Sequence, residues 1–165
     1  MSSDPSSPWW KGARGEWHVV AQIVLMLLVF FGPRTLDGGA DWSLPFVRAR
    51  QALGAVMIVA GAALLLSGLV RLGSALTPLP YPKEGAPLVQ TGPFALVRHP
   101  MYAGGLAASF GIALSVTGWV TFVYVAALFA LLDVKSRKEE RWLVQKFPEY
   151  PAYQRRVRKL IPFVY

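Results

Sequence analysis

Residues 100–132 read PMYAGGLAASFGIALSVTGWVTFVYVAALFALL, an unbroken stretch without Lys, Arg, His, Asp or Glu. A surface facing water cannot be built from such a run, whereas a surface facing hydrocarbon can. One membrane span needs roughly 20 residues, so the run is too long for a single crossing. Ser115-Val116-Thr117-Gly118 punctuates it near the middle. The expectation is a tight helical hairpin, 100–116 and then 119–132. Within it Gly104 and Ala108, with Ala107 and Gly111 one step around, are small residues at four-residue spacing, which lets another helix approach closely in lipid.

Two further apolar runs lie N-terminal to the hairpin. Residues 19–31 form the first, which can cross between 16 and 36 if its ends sit among headgroups. A cleaved signal sequence is the competing reading, with Arg14 before the run and Gly38-Gly39-Ala40 after it. The basic residue is not at the chain's start, so the span is preferred. The second run covers 52–70, with Arg71 placed to snorkel. Gly54, Gly61 and Gly68 recur every seven residues, on one face of that helix. Residues 37–50 read as a polar loop, and 1–15 as disordered apart from an interfacial Trp9-Trp10 pair. The fold class is therefore all-α: a single 1–165 domain with about four transmembrane helices, a C-terminal helical hairpin and an amphipathic tail. A hydrophobic share of 54% agrees with that.

The net charge is +8, and most of it follows Asp133, where nine Lys and Arg residues face three glutamates. A basic tail behind a membrane segment is what the positive-inside rule produces, and it attracts anionic membrane lipids. No base-stacking motif accompanies the charge, so nucleic acid is not an expected partner. With four spans, both termini and the 77–100 loop fall on the cytoplasmic side, in what reads as a multi-pass bacterial inner-membrane protein. Arg34, Arg48 and Arg50 on the other side are outnumbered. There is no cysteine, which excludes disulfides, thiolate metal sites and cysteine nucleophiles; no metal site is expected. Beyond Asp133 an amphipathic helix to about Phe147 is ended by Pro148. A second short helix can start at Pro151 and end before Ile161-Pro162.

The candidate chemistry lies in the loop before the hairpin. Residues 77–100 hold six of the thirteen prolines and cannot form one helix. Pro100 suits a first helical position, so Arg98 and His99 stand at a helix N-terminus, a natural seat for a carboxylate or phosphate. The end-dipole and Arg98 both disfavour the imidazolium, so a neutral His99 is expected near pH 7. Glu139 and Glu140 lie on the same membrane side. The bland alternative is that Arg98 holds lipid phosphate, His99 caps the helix and the glutamates face solvent.

Taken together, Arg98-His99-Pro100-Met101-Tyr102-Ala103-Gly104, then Glu139-Glu140, then residues 147–153 and Leu160-Ile161-Pro162 resemble the isoprenylcysteine carboxyl methyltransferases and their phospholipid methyltransferase relatives. The resemblance covers residues 77–165. It implies S-adenosylmethionine as cofactor, held by Leu88, Val89, Phe94, His99, Pro100, Met101, Tyr102 and Glu139, with Arg98 and Glu140 beside them. Phe94 stands where family members often have tyrosine. Lys135 falls where the prenylcysteine enzymes place a substrate-binding arginine, with Arg137 as the nearby alternative; these are the candidate catalytic residues. The implied reaction is carboxyl O-methylation of a lipid-like or prenylated acceptor. Phospholipid or lipid-amine N-methylation is the alternative, and a non-catalytic subunit binding anionic lipid or a partner is the rival from another class. No glycine-rich dinucleotide motif is present, in keeping with a cofactor site of another kind.

Overall fold

The computed structural model describes residues 16–36, 47–77, 85–116 and 118–165. The expectations for residues 1–15, including Trp9 and Trp10, lie outside them, as do Gly38, Gly39, Pro78, Pro80, Pro82 and Thr117. Among the described residues five α-helices make the architecture: α1 (Glu16–Phe31), α2 (Val47–Leu72), α3 (Pro100–Ser115), α4 (Val120–Lys146) and α5 (Tyr150–Arg156). Among the described residues the one β-type pairing is a single parallel bridge, Val97 to Arg158.

Among the described residues, one helix is long and apolar enough to cross a membrane. It is α2, which continues through a 3-10 turn to Ala75. Helix α1 is apolar but shorter. Its outward residues Ile23, Val24, Leu27 and Phe31 are exposed, as are Val56, Val59 and Val70 on α2, a distribution suited to hydrocarbon rather than water.

Helices α2 and α3 form the most extensive pairing, and glycine is the reason. Gly54, Gly61 and Gly68 are all buried and face α3. A Cβ on Gly61 would stand 2.5 Å from the Gly104 carbonyl oxygen and 2.6 Å from the Ala108 nitrogen. The reciprocal Cβ on Gly104 would stand 2.5 Å from the Gly61 carbonyl oxygen. The two small-residue stripes therefore meet each other, backbone against backbone.

Two boundaries differ from the sequence expectation. Helix α2 starts at Val47, so Arg48 and Arg50 belong to its first turn rather than to a loop; Arg50 donates to the Val116 carbonyl at 2.9 Å, tying that end to the α3–α4 turn. In the same way Arg71 does not simply snorkel but hydrogen-bonds Thr91 in the following loop. The larger correction concerns α4. The second hairpin arm and the expected tail helix are one continuous helix of 27 residues. Asp133 and the charges after it change the polarity of its surface, but none of them breaks the backbone hydrogen-bond ladder. Helix α5 begins at Tyr150, with Pro151 at its start as its fixed φ allows.

Helix α1 runs antiparallel to α4, with Gly32 near Tyr124 and Gln22 near Lys135. At one end Val29, Ala113 and Val125 form a core among α1, α3 and α4. The α3–α4 connection passes there through Gly118, at φ 144°, packed directly against the Arg34 backbone. The candidate site lies at the opposite end.

Candidate functional site

Proline punctuation builds this end of the molecule. Residues 92–95 form a 3-10 turn with Pro93 at its start, and Phe94 is buried beneath it. The residue before a proline avoids the helical region, so His99 at φ −123°, ψ 68° sends its backbone straight into α3. The C-terminal segment then seals the loop. Arg98 N–H donates to the Arg158 carbonyl at 2.8 Å, and His99 N–H donates to the Lys159 carbonyl at 3.1 Å. The Tyr153 hydroxyl donates to the Phe94 carbonyl at 2.5 Å.

Inside this wrapping is a cleft with about 850 Å³ of empty space, mouth included. Leu88, Val89, Phe94, Arg98, His99, Pro100, Met101, Tyr102 and Glu139 all line it. Leu143, Phe147, Tyr150 and Tyr153 close another side, and Leu72 and Ala75 come from the end of α2. Of the expected cofactor residues only Glu140 lies outside the wall, one step further around α4.

The polar core of the site is a buried chain of charges. His99 lies between two carboxylates, with Nδ1 3.3 Å from Glu139 Oε2 and Nε2 3.1 Å from Glu140 Oε1. Glu140 also accepts the Arg98 guanidinium at 2.7 and 3.3 Å and the Gln154 amide at 2.9 Å. Glu139 accepts the Tyr102 hydroxyl, and the Tyr102 ring stacks on His99 with centroids 5.5 Å apart. Both ring nitrogens of His99 face carboxylate oxygens, an arrangement the doubly protonated ring satisfies.

This overturns the expectation of a neutral histidine. Burial, the largest single influence, does lower the pKa of His99. The hydrogen bonds and charges of Glu139 and Glu140 together outweigh it and raise the pKa above its ordinary value. The dipole argument considered α3 alone and left out the carboxylates that α4 delivers. Glu140 shows the mirror effect. Burial pushes its carboxyl up, but His99 and Arg98 hold it down at about 2.

The bland alternatives fare poorly. His99 makes no side-chain cap bond to α3. Arg98 spends its donors on Glu140 and on the Gln154 and Val157 carbonyls, so it ties the C-terminal segment to the loop. Glu140 is 8% exposed, whereas Glu149 lies on the surface.

The two expected catalytic cations part company. Lys135 is 3% exposed; its ammonium donates to Gln22 of α1 at 2.8 Å and lies 5.0 Å from the Tyr102 ring centre. Arg137, two residues on, points to another face of α4 and pairs with Asp133 and Tyr165 at the surface. Neither cation lines the cleft; Lys135 lies behind its wall, against Tyr102, whereas Arg137 is at the surface. Burial lowers the pKa of Lys135 and the nearby Glu139 only partly restores it. Sequence reasoning missed Gln22, Lys159 and Gln154. Only Gln22 carried a signal, as a lone amide within an apolar helix.

Residues 49–150 match the family model described as phospholipid methyltransferase. The chain is 30% identical over 152 residues to the cobalt-zinc-cadmium resistance protein CzcN of Cupriavidus metallidurans, covering 90% of this chain and 62% of that protein. It is 29% identical over 157 residues to the nickel-cobalt-cadmium resistance protein NccN of Alcaligenes xylosoxydans xylosoxydans, covering 90% and 63%. The chain thus spans about three-fifths of the length of the curated relatives it matches.

Proposed function

Because the chain belongs to the phospholipid methyltransferase family, we propose that it transfers a methyl group from S-adenosylmethionine to a lipid-like acceptor at the cytoplasmic face of a membrane it crosses four times. The observation that carries this reading is the cleft at the N-terminus of α3, lined by Tyr102, Glu139 and His99. Its donor set suits the cofactor. Glu139 offers a carboxylate to an ammonium or to ribose hydroxyls. Met101 and Tyr102 present first-turn backbone N–H groups suited to a carboxylate. Leu88, Val89 and Phe94 supply apolar surface for a flat ring.

When bound, the cofactor supplies an electrophilic methyl group on a sulfonium. The protein's part is to hold donor and acceptor in line and keep water out. A histidine whose two ring nitrogens both face glutamate oxygens has no free nitrogen with which to take a proton, which favours a nucleophile that is already ionised, such as a carboxylate. Lys135 supports the same choice. Its buried ammonium touches a neutral amide and an aromatic ring, with Glu139 as its nearby counter-charge, and an anionic acceptor brought beside it would be stabilised further. Carboxyl O-methylation is therefore our first reading and amine N-methylation our second. Methyl transfer assayed on a prenylated cysteine analogue and on an ethanolamine lipid separates them. The relatives are named for metal resistance, and a membrane modification serving the same setting is part of the proposal.

Calorimetry on the detergent-solubilised protein should give saturable binding of S-adenosylmethionine. Glu139→Gln should weaken it about ten- to a hundredfold, the usual consequence of losing a buried charged hydrogen bond, while exposed Glu149→Gln should change it little. Equal effects would remove Glu139 from the site. A non-catalytic subunit predicts no saturable binding at all.

The topology is testable independently, since single cysteines can be introduced into a chain that has none. A cysteine at Arg155 should resist an impermeant thiol reagent in intact cells and react once the membrane is opened. Labelling from outside would reverse the orientation.

A further inference from the structure

Asp133 does not line the cleft, yet it belongs to a ring of bonds that closes on residues that do. Its carboxylate receives the ammonium of Lys159 and also, at 2.8 Å each, the Tyr165 hydroxyl and the Arg137 guanidinium. Lys159 is 7% exposed, and its ammonium also reaches the Tyr165 hydroxyl at 2.9 Å. The same residue's backbone carbonyl accepts the His99 N–H. Seven residues along α4, two turns from Asp133, Glu140 receives the His99 ring and the Arg98 guanidinium. The ring therefore runs from Asp133 through Lys159 to the His99 backbone, through the His99 side chain to Glu140, and back along α4.

From this we infer that Asp133 and Lys159 are positioning residues, a clamp that fixes where His99 stands relative to Glu139 and Glu140. A histidine held only by its ring could slide along the helix; a second tie at its backbone removes that freedom. A misplacement of about 1 Å within such a site is enough to cost about a hundredfold. The other bonds of the C-terminal segment do not substitute for this one. Tyr153 and Arg98 secure residues 153–158 to the loop, whereas the side chain of Lys159 is tied to α4 at Asp133.

The inference rests on the methyltransferase reading only for its consequence, not for its geometry, and the test separates the two. The chain has two histidines, so His18→Gln leaves a single ring signal for nuclear magnetic resonance. In that background and in detergent, the His99 titration midpoint of Asp133→Asn should fall, because the ring moves away from Glu139 and Glu140 while Arg98 stays nearby. Asp133→Glu should restore much of it, and Lys159→Arg should keep it. S-adenosylmethionine affinity should drop about ten- to a hundredfold in Asp133→Asn and recover in Asp133→Glu. If Asp133→Asn does not fold, Lys159→Met against Lys159→Arg asks the same question from the other partner. An unchanged midpoint in the folded Asn or Met variant overturns the clamp. A shifted midpoint in a protein whose parent binds no S-adenosylmethionine supports the clamp and overturns the cofactor reading alone.

Discussion

Glu140→Gln should cost about 3–5 kcal/mol of folding stability, because it leaves the cations of Arg98 and His99 buried without their shared carboxylate. The low pKa gives an independent bound. Lowering a carboxyl from 4.5 to about 2 corresponds to roughly 3 kcal/mol at neutral pH, somewhat less where solvent at the cleft mouth screens the pair. The two partners act in opposite directions with pH. The Glu140 contribution is present above about pH 4.5 and is lost as pH falls toward 2. The His99 contribution is present below pH 6.5 and is lost as pH rises through its raised folded value. Stability should therefore be greatest between about pH 4.5 and 6.5. Titrating mixed micelles with a denaturing detergent, followed by tryptophan fluorescence, measures both effects. A cost below about 1 kcal/mol would return Glu140 to the solvated face of α4, and loss of the acid-side slope in the variant would tie that slope to this carboxyl.

Gly61→Ala should be comparably severe, although it adds a single methyl group. The new Cβ would meet the Gly104 carbonyl oxygen at 2.5 Å and the Ala108 nitrogen at 2.6 Å, and backbone atoms within a paired helix cannot turn aside. We expect a loss above about 4 kcal/mol, or failure to yield monodisperse protein, as for other overpacked contacts at the extreme of mutational effects. Gly105 supplies the control. A Cβ there would meet only Leu65, at 3.9 Å, an ordinary contact. Gly105→Ala should be neutral or stabilising by about 0.5–1 kcal/mol through helix propensity. Size-exclusion profiles and thermal inactivation of the two variants make the comparison. Equal behaviour would show that α2 and α3 are not packed through their glycines.

These two positions also mark what can be read without coordinates. The glycine stripes were legible because helical periodicity is a local property: seven residues is two turns, whatever the helix later packs against. The loop at 88–102 was legible as irregular because proline and glycine fix its path, and its individual wall residues were named through the resemblance carried by Arg98-His99-Pro100-Met101-Tyr102. The raised pKa of His99 was not legible. It depends on α4 delivering two carboxylates from about 40 residues downstream, against a local dipole that argues the other way. Lys159 was equally hidden, since a lysine among arginines in a basic tail carries no sign that it will be buried. The continuity of α4 failed for another reason: a change from apolar to charged composition was taken as a boundary, while the backbone needs only residues that tolerate helix.

That continuity has a consequence for any acceptor. From Leu132, the last residue of the apolar stretch, to Glu139 is seven residues of straight helix, about 10 Å at 1.5 Å per residue. On the proposed function, with α4 as a span, the helix is a ruler with its zero mark at the hydrocarbon edge, and the reacting atom of a lipid-like acceptor would be carried about that far beyond it. An acceptor whose polar head is too short to make the reach stays below the mark, however well its tail fits between the helices. A single residue inserted between Leu132 and Glu139 would lengthen the scale by about 1.5 Å and turn both glutamates about 100° away from His99.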